Sequence, residues 1–289
     1  MRGLKSLYII LIFVITAIVI GAVLFFRFGR FGTSIKDSLK AGETITEELE
    51  IQSFKDIDID ADVISFEIRR GDDYHVEYSF PERIKPQIKV DDDCLKVSVK
   101  GRDALALFGS GFNNNSFKFY LYVPGDAALG KLSADVDAGE IKLNDISFEK
   151  ITVDADAANV ELTGINSDNT KVTADAGNIE IKNSVLGDLE IVTDAGNAEV
   201  HNSRCERVEA NTEMGNIEFK NTDFVNGSFE SSMGNIEIKG NFDSLEVDCS
   251  LGAVSVDSDN LENAKIDIDV SLGAIKVGGK TIVGKNYRQ

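Results

Sequence analysis

One phrase returns about every nineteen residues through the second half of this chain, and few folds can accommodate it. Small residues stand at Gly139, Ala158, Gly177, Gly196, Gly215, Gly234, Gly252 and Gly273, in steps of 19, 19, 19, 19, 19, 18 and 21. Around them runs one motif: Asp-Ala-Gly-Glu-Ile-Lys-Leu from Asp137, Asp-Ala-Gly-Asn-Ile-Glu-Ile from Asp175, Glu-Met-Gly-Asn-Ile-Glu-Phe from Glu213, Ser-Met-Gly-Asn-Ile-Glu-Ile from Ser232. A fixed period near twenty marks a stacked architecture in which each unit touches only its neighbours.

The unit is made of strands. Ile151, Val153, Ala155 and Ala157 alternate with Thr152, Asp154 and Asp156, and Val160 and Leu162 resume the apolar row beyond the small residue. Alternation at two residues means half-buried β-strand. Matching inward rows are expected at Leu132, Ala134, Val136, Ala138; at Leu189, Ile191, Thr193, Ala195; at Leu245, Val247, Cys249, Leu251; and at Ile266, Ile268, Val270, Leu272. Each unit thus reads as one coil: a strand, a corner at the glycine, a second strand and a turn. No coil can bury its apolar side alone, so the coils must stack, and eight of them at ~4.8 Å make a rod on the order of 40 Å long. The corner is expected to need glycine because the chain bends there and φ can turn positive. Asn159, Asn178, Asn197, Asn216 and Asn235 follow the small residue in five consecutive units and are expected to form a structural ladder along the rod, since Asn tolerates left-handed backbone.

Residues 57–68 overlay 151–162 without a gap, with Ile64 in the corner position, so a divergent coil is expected there. Gly71-Asp72-Asp73 then reads as a hairpin turn into a strand at 74–80, with further strands at 87–90, 95–99 and 117–123. Residues 102–116 break the pattern as a long loop.

Residues 7–26 carry no charge, and twenty residues span ~30 Å as a helix, enough to cross a bilayer. A cleaved signal peptide is the alternative. Its apolar region would be shorter and end in a small-x-small site, whereas Phe25-Phe26-Arg27-Phe28 follows here, so an uncleaved anchor is the expectation. The expected organisation is a short cytoplasmic N-terminus at 1–6, a transmembrane anchor at 7–26, a stalk at 27–43, a β segment with divergent repeat and hairpins at 44–130, and β-solenoid repeats at 131–289. Arg27, Arg30, Lys36 and Lys40 outnumber Arg2 and Lys5, which taken literally puts the C-terminal side in the cytoplasm. That rule weakens for long translocated domains, and an extracytoplasmic domain on a single-pass cell-membrane protein is expected.

Acidic residues number 49 against 30 basic, a net charge of −19. No basic stripe exists to hold phosphates, so nucleic acid is excluded as a partner. The acids are ordered. Asp135/Asp137, Asp154/Asp156, Asp175, Asp194 and Glu213 are expected on one outer face, and Glu161, Glu180, Glu199, Glu218 and Glu237 on another, interleaved with Lys182, His201, Lys220 and Lys239. The first ladder could hold a cation in principle, but no Gly-Gly-x-Gly-x-Asp copy is present, and a solvated acidic face is the reading preferred. Cys94, Cys205 and Cys249 form neither a disulfide framework nor a metal spacing, and His75 and His201 are the two histidines. No nucleophile elbow, His-Glu-x-x-His or phosphate loop occurs, so no catalytic, cofactor or metal residue is assigned.

The repeated Asp/Glu-x-Gly-Asn-Ile-Glu-Ile phrase, the lead-in Phe54-Lys55-Asp56-Ile57-Asp58-Ile59 and the closing Gly-Ala-Ile-Lys-Val-Gly-Gly-Lys from Gly273 resemble the "putative adhesin" β-strand-repeat family of bacterial envelope proteins. The resemblance runs from about Thr44 to the C-terminus. It implies an all-β, single-stranded β-solenoid or β-helix-like stack, often membrane-associated and sometimes linked with envelope-stress signalling, and it supplies no catalytic residue. Two function classes follow. One is a non-enzymatic, membrane-anchored binding or scaffold protein, bound to the bilayer through residues 7–26 and to an envelope protein or surface polymer. The other is a carbohydrate-active solenoid enzyme acting on a surface polysaccharide. An outer face with a concave cluster of acid, Arg and aromatic residues would favour the enzyme; a flat polar face would favour the scaffold.

Overall fold

The structure, a computed structural model, describes residues 44–101, 116–125, 127–282 and 284–289. The expected anchor and most of the 102–116 loop lie outside these residues. No helix among the described residues is long and apolar enough to cross a membrane.

Among the described residues twenty-one strands follow one another. The first seven are β1 (Thr44–Glu50), β2 (Asp56–Ala61), β3 (Ile64–Gly71), β4 (His75–Pro81), β5 (Gln87–Asp91), β6 (Cys94–Val99) and β7 (Lys118–Pro124). The repeats supply β8 (Leu129–Asn144), β9 (Ser147–Thr163), β10 (Asn166–Ala174), β11 (Ile179–Lys182), β12 (Val185–Ala195), β13 (Ala198–His201), β14 (Arg204–Met214) and β15 (Ile217–Lys220). They continue with β16 (Asp223–Met233), β17 (Ile236–Lys239), β18 (Ser244–Asp257) and β19 (Lys265–Val277), and β20 (Lys280–Ile282) and β21 (Asn286–Arg288) close the stack.

Hydrogen bonding arranges these into two continuous walls. One runs β5–β6–β2–β8–β9–β10–β12–β14–β16–β18–β19–β21. The other runs β1–β4–β7–β3–β8–β9–β11–β13–β15–β17–β18–β19–β20. The long strands β8, β9, β18 and β19 turn the corner and belong to both. Repeat-to-repeat pairs are parallel and in register, as in Val153↔Val172↔Ile191↔Ala210↔Phe229↔Val247↔Ile268. Residues 57–68 enter the same registers: Ile57 pairs with Leu132 and Ile64 with Gly139, so Ile64 does occupy a corner.

The core lies between the walls. Phe219 on the second wall meets Phe229 on the first edge-on, ring centroids 4.9 Å apart, and Phe224 stacks with Phe242 at 5.3 Å. Gly227 falls in an inward row, between Val208 and Leu245, where a Cβ would lie 2.5 Å from the Phe224 ring. Ring volume replaces side-chain volume there, keeping the interior at close-packed density.

Three expectations need correction. The first concerns the inward row at the corner. Ala157, Ala195, Leu251 and Leu272 are exposed, and Leu272 retains 67% of its accessible surface. Burial instead passes from Ala155 to Ala158, a step of three, because the bend costs the alternation one residue. Ala195, Leu251 and Leu272 form an outward column with Met214 and Met233.

The second correction concerns the corner glycine. A positive φ occurs at Gly139 and Gly252, but the recurring reason is crowding. A Cβ at Gly177, Gly196, Gly215 or Gly234 would stand 1.7–2.0 Å from the carbonyl oxygen of the corner one coil earlier. A column of left-handed residues, Asp145, Gly164, Asn183, Asn202 and Asn221, sits at a different turn, with φ of 50–66°.

The third correction is topological. β3 and β4 are not a hairpin. β7 lies between them, parallel to β3 and antiparallel to β4. The tight antiparallel turn is instead Asp92-Asp93, at φ 50° and 57°, joining β5 to β6 as a two-residue loop with positive φ at both positions requires.

Candidate functional surfaces

The Asn column after the corner is structural. The Oδ1 atoms of Asn159, Asn178, Asn197 and Asn216 each accept the backbone N–H of the next Asn in the column, at 2.9–3.0 Å, and Asn235 accepts that of Ala253 at 2.9 Å. Each side chain thereby satisfies an amide that the bend removes from the strand ladder. A buried hydroxyl column does the same at the far turn: Ser184 Oγ accepts the Ile165 N–H, and Ser203 Oγ the Ser184 N–H, both at 3.1 Å.

On the outside of the second wall the glutamate row is real. Glu161, Glu180, Glu199, Glu218 and Glu237 stand in direct register, beside the row Thr163, Lys182, His201, Lys220, Lys239. Pairing runs mainly along each strand: Lys182 Nζ to Glu180 Oε1 at 2.6 Å, Lys220 Nζ to Glu218 Oε2 at 2.7 Å. These hydrogen-bonded carboxylates hold both lysines above their ordinary pKa. His201 is half-buried, with Nε2 3.6 Å from both Glu199 and Glu218.

The acidic face resolves into two columns. Asp135 and Asp154 pair directly, but Thr173, Val192 and Asn211 follow them. Asp137, Asp156, Asp175, Asp194 and Glu213 run beside the corner. Burial pushes the Asp137 carboxyl up, and the charges of Asp62, Asp156 and Asp135 add to the rise. Lys100 moderates it from the end of the stack, where its Nζ contacts Asp60 at 2.5 Å and Asp62 at 3.1 Å.

The three thiols are disfavoured as thiolates. Burial raises all three, Cys205 to about 12, and none is in a disulfide.

Two features were not legible as sites. The first is a groove of about 520 Å³ on the first wall, where β10, β12, β14 and β16 bulge together; Asp168, Asp188, Glu206, Arg204 and Arg207 line it with Val185 and Val225. Acid and Arg meet there without an aromatic ring. The second is a patch where β1, β4, β7 and β3 lie side by side. Arg69 lies over the Tyr120 ring at 3.8 Å, bonds Glu67 twice at 2.8 and 2.9 Å, and donates to Tyr122 Oη at 3.2 Å. His75 stacks on Tyr122 at 4.2 Å and 10°. The period-2 alternation of Tyr120/Tyr122 and His75/Glu77 places each pair outward, but only the insertion of β7 brings the pairs together. The groove thus brings acid and Arg together without a ring, and the second patch brings Glu67, Glu77, Arg69, Tyr120 and Tyr122 together on the outer side of the sheet.

Residues 54–265 match the Toastrack DUF4097 family model. The chain belongs to the Toastrack DUF4097 family. The Toastrack fold of this chain is similar to two solved structures described as putative adhesins. One is from Parabacteroides merdae, at 15% identity and TM-score 0.57; the other is from Parabacteroides distasonis, at 15% and 0.56. Each alignment covers 82% of this chain and 96% of the other. A structure described as a putative lipid binding protein, also from Parabacteroides distasonis, aligns at 19% identity and TM-score 0.51, over 83% of this chain and 96% of its own. None of the curated proteins matches this chain in sequence.

Proposed function

We propose that this Toastrack protein is a non-enzymatic binding or scaffold module of a bacterial cell envelope, held to the membrane by residues 7–26 with its β-stack outside the cytoplasm. The observation that carries this reading is the repetition of the second wall. A glutamate recurs in register through five coils, with lysine two residues on in three of them, so the surface offers similar groups repeated at strand spacing. Such a surface suits an extended partner, an envelope protein or a surface polymer, that contacts several coils at once. The descriptions of the similar solved structures, adhesin and lipid binding, agree with a binding role. The acidic faces leave nucleic acid out.

The test is three measurements on the full-length protein in its membrane. Added protease should degrade the β-stack in intact spheroplasts while cytoplasmic controls survive, and cross-linking should capture an envelope component. A panel of polysaccharides and esters should show no turnover. Turnover abolished by replacing Asp168, Asp188 and Glu206 with Asn or Gln would establish the enzyme instead, because those are the acids of the concave groove.

A further inference from the structure

We propose that Glu48, His75 and Glu77 form a binding site for a borderline divalent transition-metal ion of the Zn²⁺ class, at the outer edge of the second wall. A ring nitrogen of His75 and one carboxylate oxygen from each glutamate lie within 4.8 Å of one another. The pairing of β1 with β4 sets this geometry: Glu48 stands directly opposite Glu77, and His75 follows two residues along the same outward row. Two like charges directly opposite on a sheet repel unless something neutralises them. Among the described residues no ion pair reaches either Glu48 or Glu77.

The surroundings orient the ligands as a metal requires. Asp73 Oδ1 lies 2.6 Å from His75 Nδ1. With Nδ1–H donating to that carboxylate, the lone pair stands on Nε2, the arrangement that makes a histidine a good ligand. Stacking on Tyr122 holds the imidazole plane, and Tyr122 Oη donates to Glu77 Oε2 at 3.1 Å. One nitrogen and two carboxylates suit Zn²⁺ over Ca²⁺ or Mg²⁺, which prefer oxygen alone, and three protein ligands leave a coordination position open.

The second histidine provides an internal contrast. Glu180, Glu199 and His201 show the same spacing two coils into the repeats. There Lys182 already binds Glu180 at 2.6 Å, and no carboxylate is placed to take one ring proton alone, since Glu199 and Glu218 both face Nε2. Neutralisation by lysine leaves that cluster without the unbalanced charge that draws a cation. The His75 site would also tie the edge strand β1 to β4.

Full-length protein freed of metal with a chelator is titrated with Zn²⁺ by calorimetry. One ion per chain should bind in the micromolar range, Ca²⁺ at the same concentration should not displace it, and the β1 amides should exchange more slowly with deuterium once zinc is bound. His75→Gln and Glu77→Gln should each weaken binding at least about 10-fold, and Asp73→Asn by about 10- to 100-fold. His201→Gln should leave it unchanged. Should His75→Gln lose its strand circular dichroism, Glu48→Gln on the exposed edge strand gives the same reading. Equal zinc affinity in wild type and His75→Gln, loss of binding in His201→Gln, or no binding below a millimolar would each overturn the site.

Discussion

The carbonyl oxygen of Gly196 occupies the space that a side chain on Gly215 would need: an ideal Cβ at 215 would lie 1.7 Å from it. Two coils approach each other there closely enough that hydrogen is the only substituent both can carry. Gly215→Val is therefore expected to force adjacent coils apart and destabilise the fold by about 3 kcal/mol or more. Thermal unfolding measures this, and an unchanged midpoint would mean that the coils do not meet at the corner.

The two asparagine columns should respond in opposite ways to substitution. Asn197 supplies an acceptor to the Asn216 N–H, so Asn197→Ala should cost about 1 kcal/mol. Asn202 holds left-handed backbone at φ 50°, so Asn202→Gly should be close to neutral while Asn202→Val costs about 1–2 kcal/mol. Chemical denaturation of the four proteins decides whether the columns have these separate roles.

The outward turn of the residue before the corner predicts a contrast within β19. Leu272→Ser should change stability by less than ~0.5 kcal/mol, because Leu272 is exposed. Ile268→Ala, at a fully buried position five residues before the corner glycine, should cost about 2–4 kcal/mol. Equal losses in the two would restore strict alternation through the corner.

Asp137 should make stability depend on pH with a definite sign. Its folded pKa is raised, chiefly by burial and then by Asp62, Asp156 and Asp135, so the ionised group opposes folding above that value. Stability therefore rises as pH falls through the folded pKa toward the unfolded one, where the contribution ends. Asp137→Asn should be more stable than wild type at pH 7, and the advantage should vanish in acid. Melting curves of both proteins across that range test it, and an advantage that persisted below the unfolded carboxyl pKa would implicate a cause other than charge.

Mass spectrometry of the membrane-extracted protein should find residues 7–26 still attached. A new N-terminus near residue 22 or beyond would mark the segment as a cleaved signal instead.

Much of this was legible in the sequence because the signals are local. Pitch follows from recurrence of the corner residue, and the inner rows from period-2 alternation, which a half-buried strand must show at every coil. The glutamate and lysine rows follow automatically, since in-register stacking puts equal positions beside each other. Even the coil at residues 57–68 could be read, because Ile57, Ile59 and Ala61 repeat the apolar row of Ile151, Val153 and Ala155. What the tertiary structure alone decided lies where the chain changes direction or joins strands far apart in sequence. Alternation carries no information about how many residues a bend consumes, so Ala157, Ala195, Leu251 and Leu272 point outward against the pattern. Nor does it show whose carbonyl lies beneath a glycine, and crowding between coils proved the commoner reason for glycine than a special φ. The placement of β7 between β3 and β4 depends on non-local pairing, and it alone brings Tyr122 beside His75, two residues 47 positions apart that no periodic signal connects.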